Sequence, residues 1–339
     1  MARVSSGFYG SIFLRKHPVR DAIEPLRKAY RVGLRTGDIA FAVVSQKDIK
    51  QQSQASTLLS YTLLLKFNAC CVCWNSIHLL PLPDLESQLR GLAKESEFLG
   101  QNLALSLLKP MWQATLNFMG RSEGDPKLIW GELIDADYAK ALEGKNPKFL
   151  HWTQFYAMQL AYFFGDYDLA GQHADSCYQF LLDGRSNGAY TSACALFYLS
   201  LVRLALARKG RRRRKNLAFV RQHLKKLRIW AAHSPENYLG KQMLIQAELE
   251  SLRGNHLNAL TFYRSAILHC RDSKFSALEA LANESLGRYF LERKDQASAL
   301  PHMKAACNLY ECWGGTAKVL HFKDEFGYLL SRKSIDGFI

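Results

Sequence analysis

The sequence predicts an all-α fold, a solenoid of antiparallel helix pairs stacked in one continuous array. Three observations carry that expectation. A short phrase recurs, as GDIAFA at 37–42, GDYDLA at 165–170, GNHLNA at 254–259 and, more worn, KDQASA at 294–299. The copies lie 128, 89 and 40 residues apart, close to three, two and one units of about 40–45, the range of paired-helix repeats. Leu, Ala, Lys, Arg and Glu dominate the composition, whereas alternating Val/Ile/Thr runs are scarce, which favours helices over strands.

Taken in chain order, residues 1–20 read as a tail, and residues 21–330 as a single array of about eight helix pairs, with a second tail at 331–339. The N-terminal stretch is basic and acid-free up to Asp21, with no apolar signal region, so cytoplasmic residence is expected. A mitochondrial presequence or nuclear import is the alternative. Gly37 and Ala42 mark the first copy of the phrase. The apolar stretch 57–80 contains Lys66, Asn68, Asn75 and His78 and is read as a buried hairpin, not a membrane span. The period places turns near 81, 122 and 210, where LLPLPDLES, GRSEGDP and ARKGRRRRK stand.

The phrase itself reads as a helix-to-helix turn. A glycine such as Gly165 or Gly254 can take a left-handed conformation and end one helix, and a small Ala on the next helix lets the two backbones approach. Ala259, Tyr263 and Ala266 stand at i, i+4 and i+7, and Ala299, Met303 and Ala306 repeat that pattern. Ala170, Ala174 and Cys177 keep only the small positions. Small, large, small at those offsets is the second-helix signature of a tetratricopeptide (TPR) unit, so the array is expected to be a right-handed TPR-like α-solenoid. Ser234-Pro235-Glu236-Asn237 marks a helix start, with a capping Ser, Pro in the first turn and an acid facing the helix dipole.

The net charge of +15 is concentrated in one place. Between Asp183 and Glu236 there is no acidic residue, and thirteen Lys and Arg fall in that interval. Without them the chain is nearly neutral. The densest part gives the candidate partner-binding residues Arg208, Lys209, Arg211, Arg212, Arg213, Arg214, Lys215, Arg221, Lys225 and Arg228. Arg221, Lys225 and Arg228 line one face of a helix expected over 216–230, with Leu224, Leu227 and Trp230 on another. The Arg211–Arg214 cluster is expected in the turn before it. Such a surface suits an acidic protein partner or another polyanion; aromatic residues are not interleaved with the arginines, which weakens the nucleic-acid reading.

Catalytic signatures are missing. Gly144-Lys145 and Gly240-Lys241 lack the earlier glycine of a phosphate-binding loop, having Ala139 and Pro235 at that position. HCRD at 269–272 and DEFG at 324–327 each carry one residue too many for the protein-kinase motifs. Cys70-x-x-Cys73 is half of a zinc site with no second half, and the eight cysteines are scattered as in a reduced chain. No cofactor, metal or enzymatic activity is expected.

The stretch WAAHSPENYLGKQMLIQAELESLRGNHLNALTFYRSAI, 230–267, resembles the TPR-like helical region of the large signalling AAA-ATPases fused to histidine or serine/threonine kinases. The resemblance continues through 275–322, where Tyr310, Trp313-Gly314 and Lys318-Val319 look like the closing helix pair of that family, with Gly315 where Ala is expected. Segments 118–135, 160–174 and, more loosely, 26–42 are similar too. The resemblance implies a non-catalytic scaffold for protein–protein interaction in signal transduction, with signalling ATPase or kinase modules as partners. The alternatives are a polyanion- or nucleic-acid-binding repeat using 208–228, and a fragment of a multidomain kinase or ATPase whose catalytic domains lie outside this chain.

Overall fold

Every copy of the phrase within reach of the structure closes in the same way. Gly165, Gly254 and Lys294 all have left-handed backbones, with φ of 78°, 82° and 62°. That conformation lets the next N–H reach back to a carbonyl of the last helical turn, Asp166 to Ala161 at 2.9 Å, Asn255 to Glu250 at 3.0 Å and Asp295 to Phe290 at 3.0 Å. The bond satisfies a carbonyl that the helix end would otherwise orphan. Glycine takes this conformation freely, whereas Lys294 carries a strain of about 1 kcal/mol. The same closure recurs at Gly120, Gly210, Lys274 and Gly314, so connections within and between helix pairs share one design.

The computed structural model describes residues 80–98, 102–135, 147–182 and 189–331, with a few positions between 13 and 28 and between 137 and 140. Gly37, Ala42, Cys70, Cys71 and Cys73 lie outside the described residues, as does nearly all of 57–80. Among the described residues there are eleven helices and no strand. They are α1 (Leu82–Phe98), α2 (Asn102–Met119), α3 (Pro147–Phe163), α4 (Tyr167–Leu182), α5 (Ala189–Arg208), α6 (Arg213–His233), α7 (Pro235–Arg253), α8 (His256–Asp272), α9 (Ser276–Leu291), α10 (Gln296–Trp313) and α11 (Thr316–Leu330). None is long and apolar enough to cross a membrane.

Consecutive helices pack as hairpins, α1 with α2, α3 with α4, and so on to α9 with α10, as in a helical solenoid. α3, α5, α7 and α9 also touch one another in succession and form an inner layer. The repeat alanines sit in the seams: Ala170, Ala259, Ala266, Ala299 and Ala306 are fully buried, as are Tyr263 and Met303. Glycines extend the same device. A Cβ on Gly287 would stand 2.6 Å from Met303 Sδ, and one on Gly240 would stand 2.7 Å from Cys270 Sγ. Gly315, the departure from the expected Ala, has the Trp313 ring 2.8 Å from where its Cβ would be, so the turn leaves no room for a side chain.

Three details differ from the sequence expectation. The turn placed at 79–87 ends at Pro81, because α1 starts at Leu82 and takes Pro83 and Asp84 into its first turn. The helix expected over 216–230 runs from 213 to 233, so only Arg211 and Arg212 of the cluster lie in the turn, and Arg213, Arg214 and Lys215 open the helix. α7 does begin after Ser234 with Pro235 in its first turn, but the Ser234 hydroxyl accepts from Asn237 Nδ2 at 2.8 Å and does not cap a backbone N–H.

The array also departs from a chain of nearest neighbours. α11 packs on α2 as well as on α10. Phe118 and Trp313 meet at 5.1 Å between ring centroids, and Lys318, wholly buried, donates to the Phe163 carbonyl at 2.6 Å and pairs with Glu284 at 3.1 Å. Tyr310 donates to the same carboxylate at 2.8 Å, and Arg288 pairs with it at 2.9 Å. Tyr310, Trp313, Gly314 and Lys318, the residues of the closing signature, are thus at or beside the junction that ties the last helix back to α2 and α3.

Candidate functional site

α6 folds as an amphipathic helix with Leu217, Val220, Leu224, Leu227 and Ala231 buried and its cations outside. Of the predicted partner-binding residues, Arg212, Arg214, Lys215, Arg221 and Lys225 are exposed and have no acidic partner among the described residues, and Lys226 joins them. The others are engaged. Lys209 and Arg211 pair with Asp168 at 3.3 and 3.7 Å. Arg213 donates to the Leu252 carbonyl at 2.7 Å, at the end of α7, and Arg228 donates to Gln246 Oε1 at 2.6 Å. The first turn of α6 contains no acid, so three cations sit at the positive end of a helix dipole. The free cations repel one another and the helix end alike.

Arg208 belongs elsewhere. It ends α5 and turns inward, bonding Glu248 at 2.8 Å and Glu292 at 2.6 Å. Burial works against its charge, but those two carboxylates outweigh it and raise its pKa. Arg208 lines a pocket of about 310 Å³ where the C-terminal ends of α3, α5, α7 and α9 converge, with Phe326 of α11 closing one side. Tyr162, Tyr167, Tyr263 and Tyr289 form much of its wall. The Tyr162 and Tyr167 rings are 5.5 Å apart, and burial raises both phenols. Tyr263 donates to Glu248 at 2.7 Å. Arg288, also in the wall, grips Glu325 with two bonds of 2.6 Å and Glu284 with bonds of 3.1 and 2.9 Å. Burial raises the Glu292 carboxyl, assisted by Glu248 and opposed by Arg208.

The structure therefore divides the predicted basic segment between an outer helix face and an inner pocket. Of the pocket residues, the sequence points to Arg208 and Lys209 as partner-binding and to Tyr263 only as a packing position of the repeat; the rest carry no signal of their own. Repeat register held the signal: Glu248 and Arg288 each precede their turn residue by six positions, and Arg208 and Glu292 by two. Among the described residues no group of three His, Cys, Asp or Glu is arranged to hold a metal ion. No protein-family model matches this chain, and no curated protein matches it.

Proposed function

We propose that this chain is a non-catalytic helical scaffold that docks an acidic segment of a partner protein on the outer face of α6. The observation that carries the reading is the set of six exposed, unpaired cations on and just before one helix, Arg212, Arg214, Lys215, Arg221, Lys225 and Lys226. A surface of this kind gains from an anionic partner twice, by direct attraction and by relief of its own repulsion. The small-large-small repeats support a right-handed TPR-like array of about eight pairs over 21–330. The resemblance of 230–267 and 275–322 supports a signalling setting, with ATPase or kinase modules as the source of the partner.

Nucleic acid is the second reading, favoured by the closeness of the unpaired cations Arg212, Arg214 and Lys215. Replacing Arg214, Lys215, Arg221 and Lys225 by Ser leaves the paired residues Arg208, Arg211 and Arg213 intact and tests both. An acidic peptide and a DNA duplex, each titrated at several salt concentrations, should separate them. The scaffold reading expects the peptide to bind better at equal charge, with affinity falling as salt rises and falling several-fold in the variant. Stronger duplex binding with a steep salt slope would favour the second reading. Equal binding by variant and parent would remove both.

A further inference from the structure

The inner pocket has a chemistry opposite to that of α6. Its cations are spent: Arg208 gives its two terminal nitrogens to Glu292, Glu248 and Ser251, and Arg288 is committed to Glu284 and Glu325. With Lys318, three cations face the four carboxylates Glu248, Glu284, Glu292 and Glu325, so the network has a net charge of −1. Lys209 at the rim pairs with Asp168, a carboxylate that Arg211 shares. One Glu292 oxygen accepts from Arg208, and the other accepts no hydrogen bond among the described residues. The Tyr162 and Tyr167 hydroxyls likewise have no hydrogen-bond partner there. The lining side chains come from the C-terminal parts of four helices, so the negative ends of their dipoles lie beside the pocket. Five aromatic rings complete the wall, and Lys209 already lies with its ammonium 5.3 Å from the Tyr167 ring centre.

We infer that this pocket receives an alkylammonium group, bound by the free Glu292 oxygen and the Tyr162 and Tyr167 hydroxyls and enclosed by the aromatic wall. An ammonium offers three donors, matching those three acceptors, and ring faces attract it further. An anion would find the two arginines of the wall already committed to carboxylates and only Lys209 at the rim with donors to spare, and a purely apolar group would strand the hydroxyls and the carboxylate. The group could arrive on a small diamine or on a lysine side chain of a peptide; the chemistry is shared. This inference rests on the pocket alone and is independent of the α6 reading.

Calorimetric titration of the full chain with 1,5-diaminopentane, with Nα-acetyl-lysine methylamide and with glutarate tests it. Saturable binding of one diamine or lysine derivative per chain is expected, and any glutarate taken up by the cations of α6 should be unaffected by changes in the pocket. The net charge of +15 makes adventitious binding of cations elsewhere unfavourable, so saturation would report a built site. Binding by both ligands, or better by the lysine derivative, points to a peptide source, and binding by the diamine alone points to a free polyamine. Glu292→Gln and Tyr162→Phe should each weaken binding about tenfold or more, since each removes a bond to a charged group. Tyr162→Phe keeps the ring and so guards against loss of fold. Absence of saturable binding by either cation, glutarate binding that either variant abolishes, or cation binding unchanged in both variants would overturn the proposal.

Discussion

Glu284→Gln leaves the ammonium of Lys318 fully buried with the Phe163 carbonyl as its remaining strong partner. Breaking one side of a buried pair costs about 3–5 kcal/mol, because the surviving charge stays desolvated. Chemical denaturation should show that loss, and Lys318→Met added to it should recover much of the stability. The same residue sets an acid limit. Burial alone would raise the Glu284 carboxyl, but Lys318 and Arg288 prevail and hold it at about 2, against an ordinary 4.5. A folded value below the unfolded one means stabilisation that is fully present above about pH 5. It is lost as the pH falls through the carboxylate range toward 2. Glu284→Gln should therefore flatten the dependence of melting temperature on pH below 5. In the seams, Ala259→Leu or Ala266→Leu should each cost about 1–3 kcal/mol by overpacking, read from the same denaturation curves. Both alanines were legible in the sequence, because spacing alone put them on one helix face.

At the scale of elements, α6 shows where such reading fails. Its apolar stripe was plain from Leu224, Leu227 and Trp230, yet its start was placed three residues late. A run of cations resembles a solvated loop, but arginine and lysine are good helix formers and nothing stops the helix before Arg212, whose left-handed φ of 42° ends the turn. The inner pocket was illegible for another reason. Its walls come from helices whose sequence separations exceed 100 residues, and its glutamates and arginines look like any exposed charge until the array brings them together. The misplaced helix start has a measurable consequence. Arg214→Asp with Lys215→Glu puts acids at the positive end of the dipole and should stabilise the protein by about 0.3–1 kcal/mol per site. The same change should weaken binding of an acidic peptide, so stability and affinity move in opposite directions. A thermal melt and a titration on one sample check both.

For the whole molecule, the contact of α11 with α2 separates this fold from an open array. In an open array the loss of a terminal unit is felt by its neighbour alone. Here, ending the chain after Gly315 would remove Lys318 from the Phe163 carbonyl and strip α11 from α2. Hydrogen exchange should then rise in 102–119, some 200 residues away in sequence, as well as in 296–313. Rise confined to 296–313 would show that the junction contributes little. A strip of repeats can be lengthened by duplicating a unit, since one more step leaves every existing contact in place. A junction between the second and the last described helices forbids that. An inserted pair would rotate and displace α11 away from α2, and a deleted pair would drive the two into each other. The number of units between α2 and α11 is thus fixed by geometry, and change within this family of shapes must proceed by substitution, or by growth outside the closed stretch.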